Sequence, residues 1–156
     1  MRSLEPAIKT IWTIKFASLL GSMFLAALLY EVYVYFSRAS FALPPGVLTG
    51  AFLIVGVAIT FSVPRLSYKY WRFDLRQEEL YLERGILNRV RTIVPLRRIQ
   101  HLDVSQNILE REFNLSKLIV HTAGSRSSDV VLPGLRFEEA EQLRDDVKRY
   151  ILEDAV

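Results

Sequence analysis

Two long apolar stretches near the start of the chain constrain its fold more than any other feature. Residues 16–36 form a run of 21 residues with one charge, Glu31. Residues 41–63 form a second run, 23 residues with no charge. A hydrocarbon core about 30 Å thick is crossed by about 20 helical residues, so each stretch is long enough to span a bilayer. Pro44 and Pro45 open the second stretch, where proline is tolerated in the first turn of a helix. A cleaved secretory signal fits the first stretch poorly, because the run is too long and no small-residue cleavage site precedes the second. The expected organisation is a short segment over 1–15, a transmembrane helical hairpin over 16–63 and a separate domain over 64–156.

Charge orients the hairpin. Arg2, Lys9 and Lys15 precede the first stretch, and Arg65, Lys69, Arg72 and Arg76 follow the second, whereas the connection holds only Arg38. Basic residues stay on the cytoplasmic side, which predicts a cell (inner) membrane protein with both termini cytoplasmic. Trp12, Trp71 and Tyr30, Tyr33, Tyr35, Tyr68 and Tyr70 flank the stretches as interfacial aromatics do. Ser18, Ser22 and Ala26 recur every four residues in the first helix, and Gly46 with Gly50 in the second. Small residues let helices approach closely in lipid, so both sets are predicted packing faces, within the hairpin or between subunits. Glu31 is a flagged intramembrane carboxylate, but it lies too near the outer interface to read as part of an ion pathway.

After residue 64 the hydrophobic period changes from that of a helix to that of a strand. Phe73 and Leu75, Leu80 and Leu82, Val90, Thr92 and Val94, Leu102 and Val104, Leu118 and Val120, and Val130 and Leu132 each alternate with polar neighbours. Turn residues separate them: Arg76 to Glu79, Gly85 and Asn88, Gly124 with Ser125 to Ser128, and Pro133-Gly134. Pro95 cannot donate to a ladder and is expected at a strand end. Asn107 to Phe113 reads as one helical turn. Phe137, Ala140, Leu143, Val147 and Ile151 then form a stripe at helical spacing, with Glu138, Glu139 and Glu141 early and Lys148 and Arg149 late, as the helix dipole favours. The expected fold is α+β: six or seven short antiparallel strands in a bent sheet or small barrel, capped by a C-terminal helix.

The chain contains no cysteine, which excludes disulfides, thiolate catalysis and cysteine-ligated zinc. A net charge of +3 does not suggest nucleic-acid binding. Two features point toward chemistry or binding. His101, Asp103 and Ser105 alternate on one predicted strand face and contain the residue types of a hydrolase. Alternate residues stand about 6.8 Å apart along a strand, whereas a nucleophile and its base need about 2.6–3.2 Å, so catalysis is not the expectation. His101 and His121 are candidates for a cross-strand metal pair that lacks an evident third ligand. The second feature is basic: between Arg65 and Arg98 stand nine Lys or Arg against four acids. Arg65, Lys69, Arg72, Arg97 and Arg98 are the predicted contacts to anionic headgroups or a partner.

The segment "VPLRRIQHLDVSQNILEREFNLSKLIVHTAG", followed by "VVLPGLRFEEAEQLRDDV", resembles the bacterial pleckstrin-homology-like domain of membrane-flanked proteins, the YdbS-like group. The resemblance covers roughly Tyr68 to Ile151 and is carried by Pro95, Arg98-Ile99, Gln106, Arg111, Phe113, Leu115, Thr122-Ala123-Gly124 and Pro133-Gly134. Asn114 stands where the group usually has glycine, and asparagine is the side chain best able to keep a left-handed turn. Arg136 stands where a Ser or Asp helix cap is expected. The resemblance implies a pleckstrin-homology-like barrel fused to membrane helices, often encoded near a larger multidomain relative. It implies neither an enzyme nor a cofactor. The expected function is a membrane-anchored, non-enzymatic interaction or scaffold module, as a homo-oligomer or bound to such a relative. A sensor of anionic lipid headgroups at the inner leaflet is the alternative, and a hydrolase built on His101, Asp103 and Ser105 a distant one.

Overall fold

The computed structural model describes residues 2–37, 44, 46–76, 78–123 and 129–153. Arg38, residues 41–43, Pro45, Gln77, Gly124 and Ser125 to Ser128, invoked above, lie outside the described residues. The chain forms two compact units, one of residues 12–65 and one joining residues 1–11 to 66–156.

The first unit is a pair of helices. Helix α1 runs Ile8–Phe36 and α2 runs Val47–Tyr70, and both are long and apolar enough to cross a membrane. Along α1 the half-buried residues Phe16, Leu20, Phe24, Ala27, Glu31 and Val34 recur every three or four positions, which defines one inner face. The matching face of α2 is Thr49, Phe52, Gly56, Thr60 and Pro64. Leu29, Tyr33, Leu53 and Ile54 point outward. The buried positions of α2 are small or polar, whereas the inner face of α1 includes Phe16, Leu20 and Phe24, and other large apolar side chains face outward as a hydrocarbon solvent allows. The stripes of small residues noted in the sequence take no part in this seam. Ser18, Ser22, Ala26, Gly46 and Gly50 are all exposed, and the Ser18 and Ser22 hydroxyls donate back to the carbonyls of Lys15 and Leu19. The inner faces carry Phe16, Leu20, Phe24 and Phe52 together with Gly56 instead.

Glu31 has a structural role. Its carboxylate accepts hydrogen bonds from the backbone N–H groups of Gly46 (3.2 Å) and Thr49 (3.3 Å), and from the Thr49 hydroxyl. These N–H groups open α2 and have no partner within that helix. The carboxylate of α1 therefore caps α2 at its positive end.

The second unit contains two three-stranded antiparallel sheets. Sheet A is ordered β1 (Arg72–Leu75), β2 (Glu79–Arg84), β3 (Val90–Pro95). A 3-10 turn, Leu96–Arg98, leads into sheet B: β4 (Ile99–Ser105), β5 (Leu115–Thr122), β6 (Asp129–Arg136). Helix α3 (Ile108–Glu112) lies between β4 and β5, and α4 (Phe137–Glu153) closes the unit. Asn107 and Glu110 form a reciprocal capping box on α3, each side chain bonding the other's backbone N–H at 2.8 Å. Asn114 adopts φ 51°, so the left-handed turn is kept without glycine. Ala140, Leu143 and Val147 of α4 are buried with Leu80, Leu82, Leu118, Val120, Leu132 and Leu135 of the sheets.

One strand expectation needs correction. The last strand does not stop before Pro133-Gly134 but runs through to Arg136. A register shift between Ser116 and Leu118 takes up the extra residues, which removes Pro133 from the regular ladder. The N-terminal residues are also part of the fold. Leu4, Ile8 and Ile11 are almost wholly buried, so α1 starts eight residues before the apolar run at Phe16. Arg2 forms an isolated bridge with Phe73 on the outer edge of β1. The Glu5 N–H donates to the Gly134 carbonyl of β6 at 2.8 Å, and Arg136 pairs with Glu5 at 3.1 Å. One short strap thus stitches an edge of sheet A to an edge of sheet B. Gly134, at φ +67°, is where it crosses most closely: a Cβ there would lie 2.9 Å from two side-chain atoms of Ile8.

Candidate functional site

Register places His101 opposite His121, and the rings lie 5.8 Å apart. Their side chains join two aspartates into a ladder across sheet B. His101 Nε2 lies 2.7 Å from Asp103 Oδ1, His121 Nε2 lies 3.3 Å from Asp103 Oδ2, and His121 Nδ1 lies 2.8 Å from Asp129 Oδ1. The strand-spacing argument therefore fails for His101 and Asp103. Backbone anchors nearly 7 Å apart still allow contact when long side chains lean along the strand. Ser105 is not joined to the ladder; it stands opposite Lys117. A hydrolytic relay needs a nucleophile within hydrogen-bond reach of its base, and the described ladder contains none. Nor do His101 and His121 gain a third ligand: among the described residues no group of three His, Asp or Glu is arranged to hold a metal ion. The Asp129 contribution was not legible in the sequence, because it depends on which strand pairs with β5.

Of the basic residues named from the sequence, Arg72 and the pair Arg97 and Arg98 stand at opposite ends of sheet A. Arg65 and Lys69 occupy one side of the last turns of α2, and Arg72 opens β1 with its guanidinium donating to the Trp71 carbonyl at 2.8 Å. Arg72 pairs in register with Glu83, and Glu83 with Arg91, so these three stand abreast at one end of the sheet. The β2–β3 hairpin, Gly85 to Arg89, turns at that same end. Arg97 and Arg98 follow β3 at the other end, where Glu79 pairs with Pro95. Six residues of strand separate the ends by about 17 Å. The residues that accompany Arg72 are Arg84, Arg89 and Arg91, which the sequence reading counted but did not single out.

Sheet edges differ in how they are covered. The outer edges of β1 and β6 each receive a backbone hydrogen bond partner from the strap. β3 has a ladder partner on one side only. It also exposes Val90 (39%) and Ile93 (54%), where β4, the other inner edge, exposes the polar Gln100 and His101.

With two apolar spanning helices, paired three-stranded sheets and a closing helix in place, comparison with known proteins can be read against the fold. The family model described as a bacterial PH domain matches residues 14–151. The chain belongs to this family. It is 36% identical over 104 residues to the UPF0699 transmembrane protein YdbS of Bacillus subtilis (strain 168), which covers 67% of this chain and 64% of that protein. It is 28% identical over 75 residues to the UPF0699 transmembrane protein YdbT of the same organism, covering 47% of this chain and 15% of that much longer one. The chain thus spans less than two thirds of either relative. No solved structure matches it. Family and fold agree with the resemblance drawn from the sequence, and the bilayer is the environment of the two spanning helices.

Proposed function

We propose that this protein is a membrane-anchored, non-enzymatic interaction module whose PH-like unit joins second copies or a larger membrane-bound relative at the free edge of β3. The carrying observation is that edge. An unpaired strand offers a row of N–H and C=O groups to a partner strand, and exposed apolar side chains on it supply the side-chain contacts. Val90 and Ile93 are such side chains. Ser18, Ser22 and Ala26, exposed on α1, offer a small-residue face for a second contact in lipid. Both termini lie in the cytoplasm in this reading, because the basic residues flank the hairpin on that side.

Mass measurement of the full chain in mild detergent tests it, alone and co-expressed with a multidomain relative of the YdbT kind. A defined oligomer or a stoichiometric complex is expected, and Ile93→Lys should dissociate it while leaving the thermal melt of the PH-like unit in place. A monomer under both conditions, or an assembly untouched by Ile93→Lys, would remove the β3 edge from the account.

A further inference from the structure

The tip of the β2–β3 hairpin has a composition that its own fold does not use. Leu87 is 100% exposed, the most exposed large apolar residue described, and Ile86 beside it is half-exposed. The loop is nonetheless tightly built. Gly85 adopts φ +113°, and a Cβ there would fall 1.9 Å from the Asn88 carbonyl oxygen. The turn thus requires glycine at 85, and Leu87 projects from it into solvent. Arg84, Arg89 and Arg91 surround the tip, all exposed. Arg91 has Glu83 at 3.6 Å, and among the described residues no carboxylate pairs with Arg84 or Arg89. From Arg84 to Leu102 the chain holds five arginines and no acid.

Position supplies the remaining argument. Ser67 and Trp71 line a shallow depression together with Arg84, Ile86, Leu87 and Val90. Ser67 lies in the last turn of α2, four residues beyond Val63 where the uncharged run ends, a rise of about 6 Å along the helix. Trp71 follows at once, and tryptophan favours the headgroup layer. An apolar tip with an arginine collar, adjoining the residues at which a spanning helix leaves the hydrocarbon, suits an anionic bilayer surface. An acidic protein surface would also satisfy the arginines, but it would not account for the position beside the helix exit.

We propose that the hairpin tip is a membrane finger: Leu87 and Ile86 enter the interfacial layer of the bilayer that α2 crosses, and Arg84, Arg89 and Arg91 bind anionic headgroups there. This assigns lipid contact to a site other than Arg97 and Arg98, and it does not depend on the β3 edge as a protein interface.

The chain has no cysteine, so one introduced thiol is a unique label. The full chain carries an environment-sensitive fluorophore at Leu87→Cys or Asn88→Cys, in nanodiscs of phosphatidylcholine with or without phosphatidylglycerol. Ile108→Cys on α3, an 89% exposed position, is the reference. The expected result is blue-shifted emission at 87 and 88, quenched several-fold more by nitroxide-labelled lipid than emission at 108. Quenching should weaken when phosphatidylglycerol is omitted and when Arg89→Gln and Arg91→Gln are combined. With the probe at 88, Leu87→Asp should return the emission to the value at 108. Water-like emission at 87 in anionic nanodiscs would overturn the proposal. So would a blue shift that lipid quenchers leave untouched but unlabelled protein displaces, which would identify a second copy as the occupant. Quenching indifferent to lipid charge and to the arginine changes would overturn the headgroup assignment.

Discussion

The helical hairpin and the PH-like unit bury opposite things. In residues 12–65 the buried positions of α2 are Thr49, Gly56, Thr60 and Pro64, while Ile54 is 70% exposed and Leu29 60%. In the other unit the fully buried side chains include Leu80, Leu118, Leu132, Leu135 and Val147, and the carboxylates and arginines lie mostly outside. Both are close-packed from ordinary residues, so the difference lies in the solvent. Water drives apolar area inward at roughly 25 cal/mol per Å². Lipid supplies no such drive, so small and polar groups can fill the buried positions of α2. Apolar residues are evidence of a core only where the surrounding medium is known.

The sharpest break of that comparison substitutes the same atoms on both sides. Leu118→Ala should cost the PH-like unit about 2–5 kcal/mol, the usual range for emptying a filled core site, and should lower its thermal midpoint. Ile54→Ala, although it removes as large a side chain, should leave the hairpin's melt in lipid almost unchanged, since its side chain already faces an apolar solvent. Equal losses at the two positions would mean that the hairpin has a water-excluded core of its own.

A smaller effect is expected where the strap crosses β6. Gly134→Ala places a Cβ against Ile8 and forces a side-chain-bearing residue to φ +67°, at a cost of about 1–3 kcal/mol. Chemical denaturation followed by tryptophan fluorescence checks this.

Helix caps sharpen the comparison further. Asn107→Ala removes the capping box of α3 and should destabilise the water-exposed unit by about 1 kcal/mol. Glu31→Ala removes the cap of α2, leaving the Gly46 and Thr49 N–H groups without that partner near the membrane interface. The second loss should be the larger in lipid, because fewer waters compete for those donors. Protease resistance of the hairpin in nanodiscs reads it out.

The smallest effect concerns the exposed face of α4. The Arg144 guanidinium donates to Asp145 at 2.9 Å and holds its carboxyl below the ordinary aspartate value, against an opposing effect of burial. With the folded value lowered, the contact stabilises fully above the unfolded value of about 3.9 and is lost as pH falls through the lower folded one. Arg144→Gln should raise the Asp145 titration midpoint by NMR and leave stability at neutral pH nearly unchanged.

Much of this architecture was legible from residue pattern. The 16–36 and 41–63 runs are visible because a bilayer sets a length that few soluble helices meet. The α4 stripe and the helical turn after Asn107 are local signals, and each appears at the expected residues. The basic cluster was only half legible. Counting charge from 65 to 98 does not show that register sends Arg72 and Arg97-Arg98 to opposite ends of sheet A. The small-residue stripes lie on the exposed face of the hairpin; spacing defines a face of a helix and does not say what lies against it.

The sequence by itself determined what is local or set by the medium: two spans, strand and helix periods, a left-handed Asn114 and the identity of the C-terminal cap. Tertiary structure alone decided what is paired. It drew Leu4, Ile8 and Ile11 into a core more than sixty residues away in sequence. It joined His101, Asp103, His121 and Asp129 into one ladder without Ser105. It also turned Leu87 outward beside Trp71 and Arg84. The physical reason is the same throughout. Propensity and period act over a few residues, whereas strand register and the choice of covering segment are set by burying area across the whole unit.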